Sequence, residues 1–160
     1  MHQPAGWPAP PAGPCVTQLF AIMKPRILLI EDERAIYTSL ARTLNGKGYD
    51  VAWTQTGHEA LRRSLDESFD AVLLDLNVSD IDGVKALDFL GRLHPFLPVL
   101  ILADPDELSE QTAVLAADAL LRKPVKDREL IQAVEEVLSE SHHDRMSRTA
   151  DALYGTITAP

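Results

Sequence analysis

Five short apolar runs, each followed by a stretch with helical periodicity, constrain this chain more than any other feature. The runs cover residues 27–30, 51–53, 71–74, 99–102 and 119–121. Short, nearly continuous apolar runs read as strands buried on both faces. The stretches between them carry apolar stripes. Ile36, Leu40 and Leu44 recur at i, i+4 and i+8. Thr56-Gly57-His58-Glu59 opens a second helix with Ala60, Leu61 and Leu65 apolar. Residues 83–93 read as a third on Val84, Leu87, Phe89 and Leu90, and 106–115 as a fourth. A fifth runs over 127–138, with Leu130, Ile131, Val134 and Leu138 on one face. Gly46 and Gly48 stop the first helix, and Pro95 and Pro98 punctuate the loop before the fourth strand.

Alternation of apolar strands with amphipathic helices means a parallel sheet covered on both faces. Right-handed crossovers leave few topologies. The small solution is the flavodoxin-like, doubly wound (βα)5 sheet in the order 2-1-3-4-5. A length of 160 residues gives one α/β domain with tails. Residues 1–24 hold Pro4, Gly6, Pro8, Pro10, Pro11, Gly13 and Pro14, and so little that can be buried or laddered. They are predicted to be a disordered extension, with the domain at 25–140 and a flexible tail at 141–160. Met23 stands immediately before the first structured element and is a candidate translation start beside Met1.

The formal net charge of -9 argues against a nucleic-acid backbone or an anionic membrane as main partner. One cysteine, Cys15, allows no disulfide within the chain and no thiolate metal site. No run approaches the ~18 apolar residues that cross a bilayer, and the first residues lack a basic n-region. A cytoplasmic setting is the expectation.

The chemistry gathers at strand ends. In AVLLDLNVSDIDG, over 71–83, the third run closes on one acid, Asp75, and turn-forming residues follow. Open parallel sheets bind ligands at that edge. The first run closes on Glu31-Asp32, and the predicted order makes strands one and three neighbours. Three carboxylates then converge, and a cation must compensate them. Oxygen-only ligands select Mg²⁺ or Ca²⁺, and a site with few protein ligands favours Mg²⁺. Asp82 reads as a helix cap. The fifth run ends at Lys123, whose ammonium emerges at the same edge as a candidate phosphate clamp.

ILLIEDE, AVLLDLNVSDIDG and RKP, at these spacings, resemble the receiver domain of two-component response regulators, over residues 26–139. The resemblance implies that Asp75 is the phosphoacceptor. It implies that Asp32 binds Mg²⁺ directly, that Glu31 acts through water, and that the backbone carbonyl of Asn77 also binds the ion. Lys123 matches the lysine that contacts the acyl phosphate. The implied donor is a sensor histidine kinase or a phosphotransfer protein, and the implied output is a downstream protein effector. No output domain follows residue 139, so a stand-alone receiver is expected, and not an enzyme in its own right. A homodimer would use the face of the helix over 106–115, the fifth strand and the last helix.

Two positions depart from the family. Ala103 stands where receivers carry Ser or Thr, and Leu120 where they carry Tyr or Phe. Both halves of the usual switch are therefore missing. Ser79 stands where Pro is common. Two alternatives stay open: a pseudo-receiver that keeps the fold without using the phosphate, and an aspartate-nucleophile phosphohydrolase. The second expects a D-x-D pattern, but Asn77 occupies its second position.

Overall fold

The computed structural model describes residues 24–80, 83–105 and 117–140. Along the chain come β1 (Arg26–Ile30), α1 (Arg34–Gly46), β2 (Asp50–Thr54), α2 (Gly57–Asp66) and β3 (Ala71–Asp75). Then follow α3 (Gly83–Leu93), β4 (Val99–Ala103), β5 (Ala119–Arg122) and α4 (Asp127–Ser139). The strands form one parallel sheet in the order β2-β1-β3-β4-β5, the doubly wound flavodoxin-like arrangement. The extension through residue 23, the helix expected over 106–115, the tail from 141 and the Asp82 cap lie outside the described residues.

Successive strand side chains point to opposite faces, so each apolar run feeds two cores. Ile27, Leu29, Leu73, Leu100 and Leu102 pack with Leu40 and Leu44 of α1 and Leu130 and Val134 of α4. Leu28, Ile30, Val72, Leu74 and Ile101 pack with Ala60 of α2 and Ala86, Leu87 and Leu90 of α3. Burying one such Leu stabilises the fold by about 1.5–3 kcal/mol. Every residue of β3 and β4 is buried, which is why their runs show no polar alternation.

Two residues depart from the expected stripes. Leu65 is 65% exposed and Phe89 47% exposed. In α2 the buried residues are Gly57, Ala60 and Ser64, a stripe one position away from the leucines. Small side chains let α2 lie close to its neighbours, and Ser64 Oγ meets His94 Nε2 at 3.2 Å just beyond α3. In α1, Gly46 is the last helical residue and Gly48, at φ 94°, makes the turn. Gly83 has a different reason. A Cβ there would stand 2.5 Å from the Leu76 carbonyl oxygen, so only glycine lets α3 start this close to the loop after β3.

The loops at the carboxyl end of the sheet are tied down. Thr56 caps α2 by accepting from the Glu59 N–H at 3.2 Å. Asp80, in the loop after β3, accepts from the N–H groups of Gly57 at 2.8 Å and His58 at 3.2 Å. That loop is thereby fastened to the start of α2.

Candidate functional site: an acidic cleft at the sheet edge

Glu31 follows β1 directly. Its N–H donates to the Thr54 carbonyl at 3.1 Å, which extends the β1–β2 ladder one residue beyond Ile30. Asp75 is the last residue of β3 and 2% exposed. Glu31 is fully buried and Asp32 half-buried. One carboxylate oxygen from each of the three acids lies within 4.8 Å of the other two. The convergence expected from the strand order is present.

Each acid is held by nearby donors. Asp75 Oδ1 accepts from the Asn77 N–H at 3.0 Å, and Oδ2 from Lys123 Nζ at 2.6 Å. Asp32 Oδ2 accepts from the Ser79 N–H at 3.3 Å. Glu31 Oε1 accepts from the Glu33 N–H at 2.9 Å, whereas Glu31 Oε2 is buried with no hydrogen-bond partner. Lys123 follows β5, and its N–H donates to the Ala103 carbonyl at 3.0 Å. That bond fastens the lysine to the end of β4, and the Lys123–Pro124 peptide is cis.

The cleft these residues line has a volume of about 680 Å³ and includes two further acids, Glu33 and Asp104. Asp104 follows β4 and accepts from Asn77 Nδ2 at 3.3 Å. Sequence reasoning missed it, because an acid one residue beyond an apolar run looks like ordinary loop polarity. Ala103 is buried at the end of β4 and presents a methyl. Leu120 is half-buried on β5, against the α2/α3 core.

Charge in the cleft is unbalanced. Burial, with Asp75 close by, pushes the Glu31 carboxyl up to about 7. Burial works against the charged form of Lys123 too, yet its bond to Asp75 and the nearby charges of Glu31 and Asp104 hold it above the usual lysine range. One lysine thus shares the cleft with five acids. The orphaned Glu31 Oε2 and the oxygen-only donor set fit a hard divalent cation.

A doubly wound parallel sheet with an acidic cleft at its topological switch point defines a flavodoxin-like domain with its ligand edge at the carboxyl ends of β1 and β3. The chain belongs to the response regulator receiver domain family, whose pattern it matches over residues 27–135. It is 36% identical over 124 residues to the response regulator MprA of Mycolicibacterium vanbaalenii, covering 76% of this chain and 54% of that one. It is 32% identical over 128 residues to the transcriptional regulatory protein CpxR of Klebsiella pneumoniae, covering 79% and 55%. The chain spans about half the length of these curated relatives. Among solved structures it is similar to the CheY-like receiver domain protein of Methanospirillum hungatei, with TM-score 0.69 and 30% identity over 72% of this chain and 94% of that one. The NtrX receiver domain of Brucella abortus gives TM-score 0.67 and 30% identity over 72% and 99%. Receiver domains of response regulators bind Mg²⁺ in an acidic pocket of this kind. No helix among the described residues is long and apolar enough to cross a membrane.

Proposed function

We propose that this chain is a phosphoacceptor receiver, taking a phosphoryl group onto Asp75 from a phosphohistidine of a sensor histidine kinase or phosphotransfer protein. The observation that carries this reading is the buried Asp75 carboxylate, bonded to Lys123 and within 4.8 Å of Glu31 and Asp32. Residues 25–140 form the receiver, in a cytoplasmic protein. The Asp32 and Asp75 carboxylates and the Asn77 backbone carbonyl would hold Mg²⁺, with Glu31 acting through water. When bound, Mg²⁺ supplies positive charge that offsets both the carboxylates and the phosphoryl oxygens.

The chain's own residues do the positioning. The Asn77 N–H on Oδ1 holds the Asp75 carboxylate in one orientation. A carboxylate oxygen of Asp75 attacks phosphorus, the P–N bond to the donor imidazole breaks, and the electron pair stays on that nitrogen. Lys123, paired with Asp75 before transfer, moves its ammonium to a phosphoryl oxygen. The chain catalyses no turnover of a free substrate in this reading.

The output is atypical. Ala103 offers no hydroxyl to the phosphoryl group, and Leu120 offers no aromatic ring to swing inward. Phosphorylation therefore couples weakly to the surface of β5 and α4, the face that with the segment 106–115 would meet a protein effector or a second copy. Those two side chains also favour a second reading, a pseudo-receiver whose partners bind regardless of phosphate.

The test is intact mass of the full chain after incubation with a small phosphodonor and Mg²⁺. One added phosphoryl group on the wild type and none on Asp75→Ala is the expected result. No uptake by the wild type under these conditions would favour the pseudo-receiver.

A further inference from the structure

Trp53 lies on β2, an edge strand, and does not line the acidic cleft. Its ring stacks on Tyr37 of α1, with centroids 4.1 Å apart and 12° between planes. Both residues pack against the α1/α4 core. Edge cover would account for the ring alone. It does not account for the indole N–H, which donates to the Glu31 carbonyl oxygen at 2.8 Å.

That bond completes the immobilisation of one residue. The Glu31 N–H is held by the Thr54 carbonyl at 3.1 Å and the Glu31 carbonyl by Trp53, two consecutive residues of β2. Glu31 Oε1 is held by the Glu33 N–H at 2.9 Å. Only Oε2 remains, buried and without a partner. Glu31 otherwise sits at the first step out of β1, where the chain leaves its ladder to enter α1. The Tyr37 stack in turn fixes the indole plane, so the donor direction is set by packing. Outer groups that fix a metal-binding side chain tune affinity in this way.

We infer that Trp53 is a positioning residue for the cation site, holding the Glu31 peptide so that its carboxylate stays beside Asp32 and Asp75. This rests on the cation reading given under Proposed function. The indole touches neither the cation nor the phosphoryl group. Its effect passes through the Glu31 backbone.

The experiment titrates Mg²⁺ alone into the full chain by calorimetry, for the wild type, Trp53→Phe and Val51→Ala. Trp53→Phe keeps an aromatic ring and removes the N–H donor. Val51→Ala opens space in the same strand without touching Glu31 contacts. The expected result is Mg²⁺ affinity weakened roughly 10-fold by W53F, the lower end of losing an outer partner, and unchanged within about twofold by V51A. The indole N–H resonance of Trp53, told from that of Trp7 by its persistence in Trp7→Phe, shifts along the same binding curve.

W53F binding Mg²⁺ as tightly as the wild type would overturn the inference and leave the cation reading standing. A wild type that does not bind Mg²⁺ overturns both. If W53F fails to fold, the wild-type resonance decides, and an indole signal indifferent to saturating Mg²⁺ overturns the inference.

Discussion

At the amino-terminal rim of the sheet, Arg26 bonds Asp50 at 3.0 Å and Glu67 at 3.0 Å, and its N–H bonds Asp70 at 2.7 Å. Arg63 grips Glu67 with two further bonds, and both guanidinium groups lie over Phe69. At the carboxyl-terminal rim, Glu31, Asp32, Glu33, Asp75 and Asp104 line one cleft with Lys123, which pairs with Asp75. The two rims differ in ratio: two arginines meet three acids at the first, and one lysine meets five at the second. Arg63 and Arg26 pull the Glu67 carboxyl down to about 2, while burial beside Asp75 pushes Glu31 up to about 7. The first rim is complete as it stands. The second leaves a buried carboxylate oxygen without a partner, an arrangement that suits a cation. Imbalance of charge, more than presence of charge, marks the working edge.

The largest effect that would break this contrast belongs to Lys123. Its replacement by alanine is expected to slow phosphoryl uptake at Asp75 about 100-fold. Initial rates with a small phosphodonor, read by mass, check this, and an unchanged rate would mean that the ion pair with Asp75 is only structural.

A smaller effect separates the rims by pH. Glu31 has a raised pKa, so the metal-free folded chain keeps a proton that the unfolded chain releases between about 4.5 and 7. Its stability contribution is present at the lower pH and lost as pH rises through that window. Glu67 has a lowered pKa, so its contribution is present above about 4.5 and lost as pH falls towards 2. Melting of the chelator-treated protein from pH 3 to 8 reads both limbs. Glu31→Gln flattens the neutral limb alone, and a neutral limb unchanged in that variant would refute the assignment.

The smallest effect is at the first rim. Arg26 is partly exposed, so Arg26→Met is expected to cost only about 1 kcal/mol, in chemical denaturation. Phosphoryl uptake and Mg²⁺ affinity stay at wild-type values. A matching loss of uptake would show that the rims are coupled through the sheet.

The working edge was more legible in sequence than the amino-terminal rim. Glu31, Asp32, Asp75 and Lys123 each follow an apolar run, and strand order alone brings them together. The Arg26–Glu67 pair joins residues 41 apart through side-chain reach, which no periodicity encodes. The same limit hid Trp53, whose bond to Glu31 crosses 22 residues, and Asp104, whose bond to Asn77 crosses 27. Helical periodicity located α2 and α3 but misplaced Leu65 and Phe89, because the buried stripe of α2 runs through small residues. Gly83 read only as the first residue of the third helix, whereas the backbone approach of Leu76 requires a glycine there.

The most direct test of the uncompensated edge is calorimetric titration of Mg²⁺ into the chelator-stripped wild-type chain at pH 8, beside Asp75→Asn and Arg26→Met. Saturable binding at a single site, abolished by D75N and untouched by R26M, is the predicted result. No saturable heat in the wild type, or binding that D75N leaves intact, would contradict the account.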